Sequence, residues 1–386
     1  MQIGIRTALF QSHFRKGNKM SGNDVEPDVQ VEASRASVKW SIAAIEHVLK
    51  TKFARLPAPT LQSVAEKSWE IAASETTISP PAFFLPNQLD RVTGWEFYPF
   101  EHPRRTMLGG IATEHSATQG FLLKDVWLLD GAFYKDGAAS FMSPRSGWLP
   151  KVRVKSEIDR GAVYCTAGGN QWFGSWLADD CLTYSLASAE GVPVTTSHAA
   201  GFHKQGYEDW FGMKPARLSN AFFRELVVFE DLGQNSNRHQ RFRALSDKLL
   251  THVKASTHPG VFIMRGGSGE QRLMHNEMEL AEYLRERRGF RILDPEKCDV
   301  PTIVAACAGA RTIVSVEGSQ IIHGFLALQP GCSILTLQPP NRFVCVYKYR
   351  ADRELLNFGF VVGIAEGKGF RIDPVEVERT LDLFPA

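Results

Sequence analysis

The sequence has no run of about 18 consecutive apolar residues, the length that a membrane-spanning helix requires, so no integral membrane segment is expected. Its first 30 residues also lack the apolar stretch of a signal peptide. They carry Arg15, Lys16, Lys19 and Asp24 in a polar setting and read as a frayed tail. An excess of one charge is missing too: 44 Lys and Arg stand against 42 Asp and Glu, a net +2. That balance excludes the electrostatic footprint of non-specific nucleic-acid binding, and any anionic ligand must be held by local charge. The six Cys include no C-x-x-C pair, and several sit in apolar runs where a free thiol packs as a small hydrophobe. Reduced thiols and a cytoplasmic location are expected. Repeats and low-complexity segments are absent, and 44% hydrophobic with 22% charged residues excludes a disordered chain.

Metal motifs are lacking as well. There is no H-E-x-x-H, no Cys2His2 spacing, no EF-hand loop and no D-x-D of the kind that holds Mg2+ on a diphosphate, so a metal-free, cofactor-free mechanism is expected. Walker A, G-x-G-x-x-G and G-x-S-x-G signatures are also missing.

What is present is a soluble chain of 386 residues, enough for two domains at about 150 residues each. Val38, Ile42, Ile45 and Leu49 recur at helical spacing and predict an amphipathic scaffold helix. Between residues 57 and 150, short apolar runs broken by Gly and Pro predict strands, with a hairpin turning at Asp130-Gly131. All eight Trp precede Phe211, and the polar run from Asp231 to Asn237 predicts a linker. Three regions follow: a tail over 1–30, an N-terminal domain over 31–235 and a C-terminal domain over 236–386.

The C-terminal rhythm is regular. Helical patterns at 242–253, 277–288, 300–308 and 319–328 alternate with apolar strands at 261–264, 290–293, 312–316 and 333–337. This pattern predicts βαβ units on a parallel sheet, a Rossmann-like half closed by a last helix from Pro374. In such sheets ligands bind beyond the carboxyl ends of the strands. Two loops there suit an anion. The first holds Arg265, Gly267, Ser268 and Arg272, then Asn276-Glu277; its glycines admit a close ligand and its arginines suit phosphate. As a structural alternative, it is a polar turn with a surface Arg pair. The second holds Glu317, Gly318 and Ser319 at a helix start, with His323 one turn on. Here the structural alternatives are simple capping by Ser319, an Arg partner for Glu317 and a core position for His323.

These residues, with Gly289-Phe290, Pro295-Glu296, Ala310, Phe325 and Pro339 in the same order, resemble the C-terminal half of the family 61 glycosyltransferases, the capsular-polysaccharide biosynthesis proteins. The resemblance covers about 100 of the 386 residues, with a looser match over 172–218. It implies an α/β, GT-B-like architecture of two Rossmann-like domains facing across a cleft, and inverting transfer from a nucleoside-diphosphate sugar, UDP-linked by preference, to a glycan or other hydroxyl acceptor. Arg265 and Arg272 would lie near the diphosphate, Asn276 and Glu277 would frame the loop, and Gly318-Ser319 would start the helix beneath the donor. The sequence departs from the family where Glu317 replaces a usual His and Thr302-Ile303 a usual Gln. Glu317, Asp179 and Asp180 are the candidates for the catalytic base. A nucleotide- or glycan-binding protein without catalysis is the rival reading, and a Rossmann enzyme with another nucleotide cofactor is a third.

Overall fold

The regular half after Asn235 folds into a five-stranded, all-parallel sheet. Its order is Arg291–Leu293, His258–Ile263, Ala310–Val316, Ser333–Gln338 and Asn357–Val362. The computed structural model describes residues 34–53, 57–142, 152–196, 202–267 and 272–385, so the expected tail over 1–30 and Ser268 lie outside the described residues. Strand side chains alternate between faces, and both faces here are apolar. Val261, Ile263, Ile313 and Phe360 join one core, while Phe262, Val314, Val316 and Leu337 join the other. Helices Ser236–Leu250, Val300–Cys307 and Ile321–Ala327 cover the first face; Glu277–Arg288 and Pro374–Leu381 cover the second. Asn235 and Asp299 cap their helices by accepting from the N–H groups of Arg238 and Thr302. Gly289, at φ +69°, ends the helix Glu277–Arg288 in the left-handed conformation that favours glycine.

The N-terminal half also builds a sheet, but a mixed one of nine strands. Ala216–Arg217, Val192–Thr195, Arg153–Val163 and Ala221–Glu230 run parallel. The sheet then turns antiparallel through Thr118–Leu129, Ala132–Lys135 and Ala138–Phe141. The expected hairpin is there, with Asp130 and Gly131 both at positive φ, as a two-residue turn between twisted strands requires. These hairpins are why this half is not an all-parallel, Rossmann-type sheet. The scaffold helix expected from Val38 onward is also corrected. Ser34–Trp40 is a strand paired with Arg153–Val163, and the helix starts only at Ala43, running to Val48 and on through a π-helical turn over Leu49–Phe53. Cross-strand pairing wins over helical periodicity, and Ile42, Ile45 and Leu49 point outward.

The two halves share one core, in which Trp176, Leu177 and Tyr207 pack with Phe242, Ile303 and Phe325. A strap over residues 80–108 also crosses from the first half to the edge of the parallel sheet. Phe83 donates its N–H to Phe358 O at 2.8 Å and accepts from Phe360 N–H at 3.1 Å. Arg91 pairs with Glu376 of the last helix at 2.5 Å, so that helix meets the N-terminal half through the strap. No described helix is long and apolar enough to cross a membrane, and all six cysteines are unpaired.

The segment expected as a linker is a buried junction. Asp231 accepts from the hydroxyls of Thr118 at 3.1 Å and Thr183 at 2.7 Å, and pairs with Arg241 at 2.6 Å and Arg238 at 3.2 Å. Burial pushes its carboxyl up, but Arg241 and Arg238 outweigh burial and hold it below the usual carboxylate range. Asp231→Ala leaves two guanidiniums without their shared anion and should cost about 3–5 kcal/mol. Urea unfolding measures this directly, and a loss no larger than that of an exposed ion pair would refute the junction's structural role.

Candidate functional site

The strand order of the parallel sheet reverses between His258–Ile263 and Ala310–Val316, and ligands of open α/β sheets bind at that point, beyond the carboxyl ends. Three successive loops meet there. The first carries Arg265 and Arg272, the second Glu317 and Gly318, and the third, after Ser333–Gln338, carries Arg342. Glu317 Oε2 lies 2.5 Å from Arg272 Nε and accepts from Arg342 Nη1 at 2.6 Å. Arg265 lies against Gly318, where a Cβ would stand 2.9 Å from its Nε, so glycine leaves room for the guanidinium.

Three guanidiniums lie close together here. Burial first, and then the neighbouring Arg272, push the Arg265 guanidinium below its usual range, which an arriving anion would relieve. Tyr347 lies in the same field, its phenol pushed up by burial and then by Glu317. Glu277 fixes the start of the first loop by accepting from Arg265 N–H at 2.6 Å, and burial raises its carboxyl. Asn276 is tied to the backbone of Ile372 by two hydrogen bonds, at 2.8 and 3.1 Å. Gly267 N–H donates to Glu296 at 3.1 Å.

Other expected site residues have different surroundings. Ser319 makes no capping hydrogen bond, and the helix begins at Ile321; Gly174 of the N-terminal half lies against Ser319, where a Cβ would stand 3.0 Å from Oγ. His323 sits between the halves rather than among the arginines. Its Nδ1 is 2.8 Å from the Tyr207 hydroxyl, and its ring packs 4.7 Å from Phe173 and 5.1 Å from His203. Burial first, and then His203, push the imidazole down to about 3, so it is neutral.

Asp179 and Asp180, expected among the base candidates, are both held by partners within the fold. Asp179 pairs with Arg238 at 2.5 Å and Arg350 at 2.9 Å, bridging the two halves. Asp180 is fully buried and accepts from the Thr166 hydroxyl at 2.9 Å and the Thr166 N–H at 3.2 Å. Burial raises its carboxyl well above the usual range. Gly169 is glycine because a Cβ there would stand 1.8 Å from Asp180 Oδ2.

Sequence reasoning missed Arg342, although the rule that found Arg265 applied equally to the loop after the 333–337 strand. Tyr207, the partner of His323, had no sequence signal. Residues 77–335 match the family model described as Glycosyltransferase 61, which spans more than half of the chain and includes Arg265, Arg272 and Glu317. No curated protein matches the chain.

The buried imidazole of His323 makes a pH prediction. Unfolding returns it from about 3 to the ordinary 6.5, so the unfolded chain binds the extra proton between those values. Its contribution to stability is complete above 6.5 and is lost as pH falls toward 3, at up to about 1.4 kcal/mol per pH unit. Urea midpoints of the wild type and His323→Phe should therefore converge on acidification, the variant having the flatter curve. Parallel curves would show that His323 is not buried neutral.

Proposed function

This chain belongs to the glycosyltransferase 61 family, and we propose that it moves a sugar from a nucleoside-diphosphate donor, UDP-linked by preference, to a hydroxyl acceptor with inversion at the anomeric carbon. The observation that carries this reading is the convergence of Arg265, Arg272 and Arg342 on one buried carboxylate at the switch point of a parallel sheet. In the transfer, the acceptor oxygen bonds to the anomeric carbon as the bond to the diphosphate breaks, and the electron pair leaves with the diphosphate. Charge growing on that leaving group is the main electrostatic demand. Guanidiniums held in a buried loop cluster meet it by bidentate, charge-assisted hydrogen bonds, the work that a metal performs in other transferases.

Glu317 suits positioning better than proton transfer. Its Oε2 already serves two arginines, and its side chain is only 4% exposed. It fixes Arg272 and Arg342 in place for the diphosphate. The same engagement favours the rival reading, a protein that binds the nucleotide without transferring the sugar, and release of free sugar or product from a UDP-sugar distinguishes the two.

UDP should raise the melting temperature of the full chain with EDTA present, in proportion to ln(1 + [L]/Kd). Loss of that shift on chelation would refute metal independence. Arg272→Ala should weaken UDP binding by about 1.5–3 kcal/mol, with Arg272→Lys recovering part of it. Wild-type affinity in both would remove the loop from the donor site. Glu317→Gln separates the two roles of the carboxylate. Weaker UDP binding with nearly unchanged turnover at saturation is expected, whereas a drop of about 10²-fold in turnover at intact affinity would make Glu317 the base.

A further inference from the structure

The strap brings a second carboxylate to the arginine cluster. Thr93 and Gly94 donate their N–H groups to Pro340 O at 2.7 and 3.1 Å, Phe343 donates to Gly94 O at 2.8 Å, and Glu96 donates to Phe343 O at 3.2 Å. No side chain fits at Gly94, where a Cβ would stand 2.3 Å from Asn341 O. This ladder fixes the strap against the loop that carries Arg342. Glu96 Oε2 consequently lies 2.5 Å from Arg342 Nη2, on the guanidinium whose Nη1 holds Glu317. The two carboxylates differ in one respect: the Glu96 side chain is 40% exposed, that of Glu317 only 4%.

In the sequence Glu96 is flanked by two large aromatic residues whose rings remain in solvent. Trp95 is 48% exposed and Phe97 46%. One side of Trp95 is supported by Phe100, stacked at 5.4 Å. Phe97 has φ +69°, a left-handed conformation that bulky residues rarely adopt, and Tyr98 N–H closes the turn onto Glu96 O at 2.9 Å. Strained backbone of this kind persists where its surroundings over-determine it, and such positions cluster at functional sites.

We propose that Trp95, Glu96 and Phe97 form the acceptor subsite, on the reading that this chain transfers sugar. The aromatic faces take the C–H face of an acceptor sugar ring, since their negative quadrupole suits polarised C–H groups. A neutral, hydroxyl-bearing ring is the partner that fits, because the anionic Glu96 would repel a second phosphate. The Glu96 oxygen not bound to Arg342 accepts the proton of the attacking hydroxyl as that oxygen bonds to the anomeric carbon. In the same step the bond from the anomeric carbon to the diphosphate breaks, and the diphosphate leaves with that electron pair, its charge met by Arg265, Arg272 and Arg342. Glu96 is thus the catalytic base, supplied by the strap rather than by the sheet.

The test uses the full chain with three probes: UDP, UDP-sugars, and a panel of methyl and p-nitrophenyl glycosides. Trp95→Ala should leave UDP affinity at the wild-type value and abolish glycoside contacts seen by saturation-transfer NMR. Glu96→Gln should lower turnover at saturating UDP-sugar, whether to a glycoside or to water, by about 10²-fold or more, with the acidic limb of the pH profile removed. Glu96→Asp should restore part of that limb. Loss of UDP binding in Trp95→Ala would make the rings a nucleobase platform and overturn the proposal. Unchanged turnover in Glu96→Gln, or a wild type that contacts no glycoside in the panel, would overturn it as well. A wild type that binds no UDP would instead defeat the transfer reading beneath it.

Discussion

A buried carboxylate at the end of a parallel strand is the constraint around which the site is organised. Taking Glu317 out of water costs far more than its hydrogen bonds return unless cations accompany it. The cations come from the loops on either side, Arg272 from one and Arg342 from the other. Three loops widely separated in sequence are therefore held together by a single ionised group. Glycine at 318 completes the arrangement by letting the Arg265 guanidinium approach the backbone. Three guanidiniums are thus gathered locally in a protein whose net charge is only +2.

The loops would be of little use if the two halves moved independently. Inter-domain motion is the default where interfaces are small and polar. Here the interface is apolar and continuous, with Trp176 and Tyr207 packed into the same core as Ile303 and Phe325. Polar clasps surround it: Asp231 with Arg238 and Arg241, Asp179 with Arg238 and Arg350, His323 with Tyr207. Arg238 serves two of these and joins the Asp231 and Asp179 clasps into one network. The strap adds a further tie at Arg91 and Glu376. The loops after the parallel strands and the strap residues are therefore presented in one fixed geometry, as preorganised electrostatic stabilisation would need.

The sequence was most legible where local and global preferences agreed. Parallel strands such as Ala310–Val316 carry apolar residues on both faces, Ile313 in one core and Val314 and Val316 in the other, and the helix Glu277–Arg288 ends at a glycine that its left-handed φ requires. Asp130-Gly131 announced its hairpin for the same reason. Legibility failed where tertiary contacts overrode pattern. Val38 to Leu49 has helical spacing, yet pairing with Arg153–Val163 pulls its first part into a strand. A polar run from Asp231 to Asn237 has linker composition, but its polar groups are consumed by long-range partners. Asp179 and Asp180 were prominent as adjacent acids, a signal that cannot tell an exposed base from a buried clasp. Glu96 was invisible because its role depends on Arg342, 246 residues away in the chain.

Glu317 occupies the place where the resemblance to the family leads one to expect His, and the electrostatics of the cluster give that exchange a physical meaning. A neutral imidazole would leave the three guanidiniums to repel one another across a buried site, and burial together with Arg272 already depresses Arg265. The carboxylate removes much of that repulsion and orders Arg272 and Arg342 before any ligand arrives. Its cost is a weaker pull on an incoming anion, since one positive charge is already answered. On the transfer reading proposed above, proton transfer then falls to another group, because an oxygen shared by two guanidiniums is a poor acceptor for a third donor. A carboxylate that touches the same arginine from the solvent side meets that requirement without disturbing the buried pair, and Glu96 is placed there by the backbone ladder of the strap.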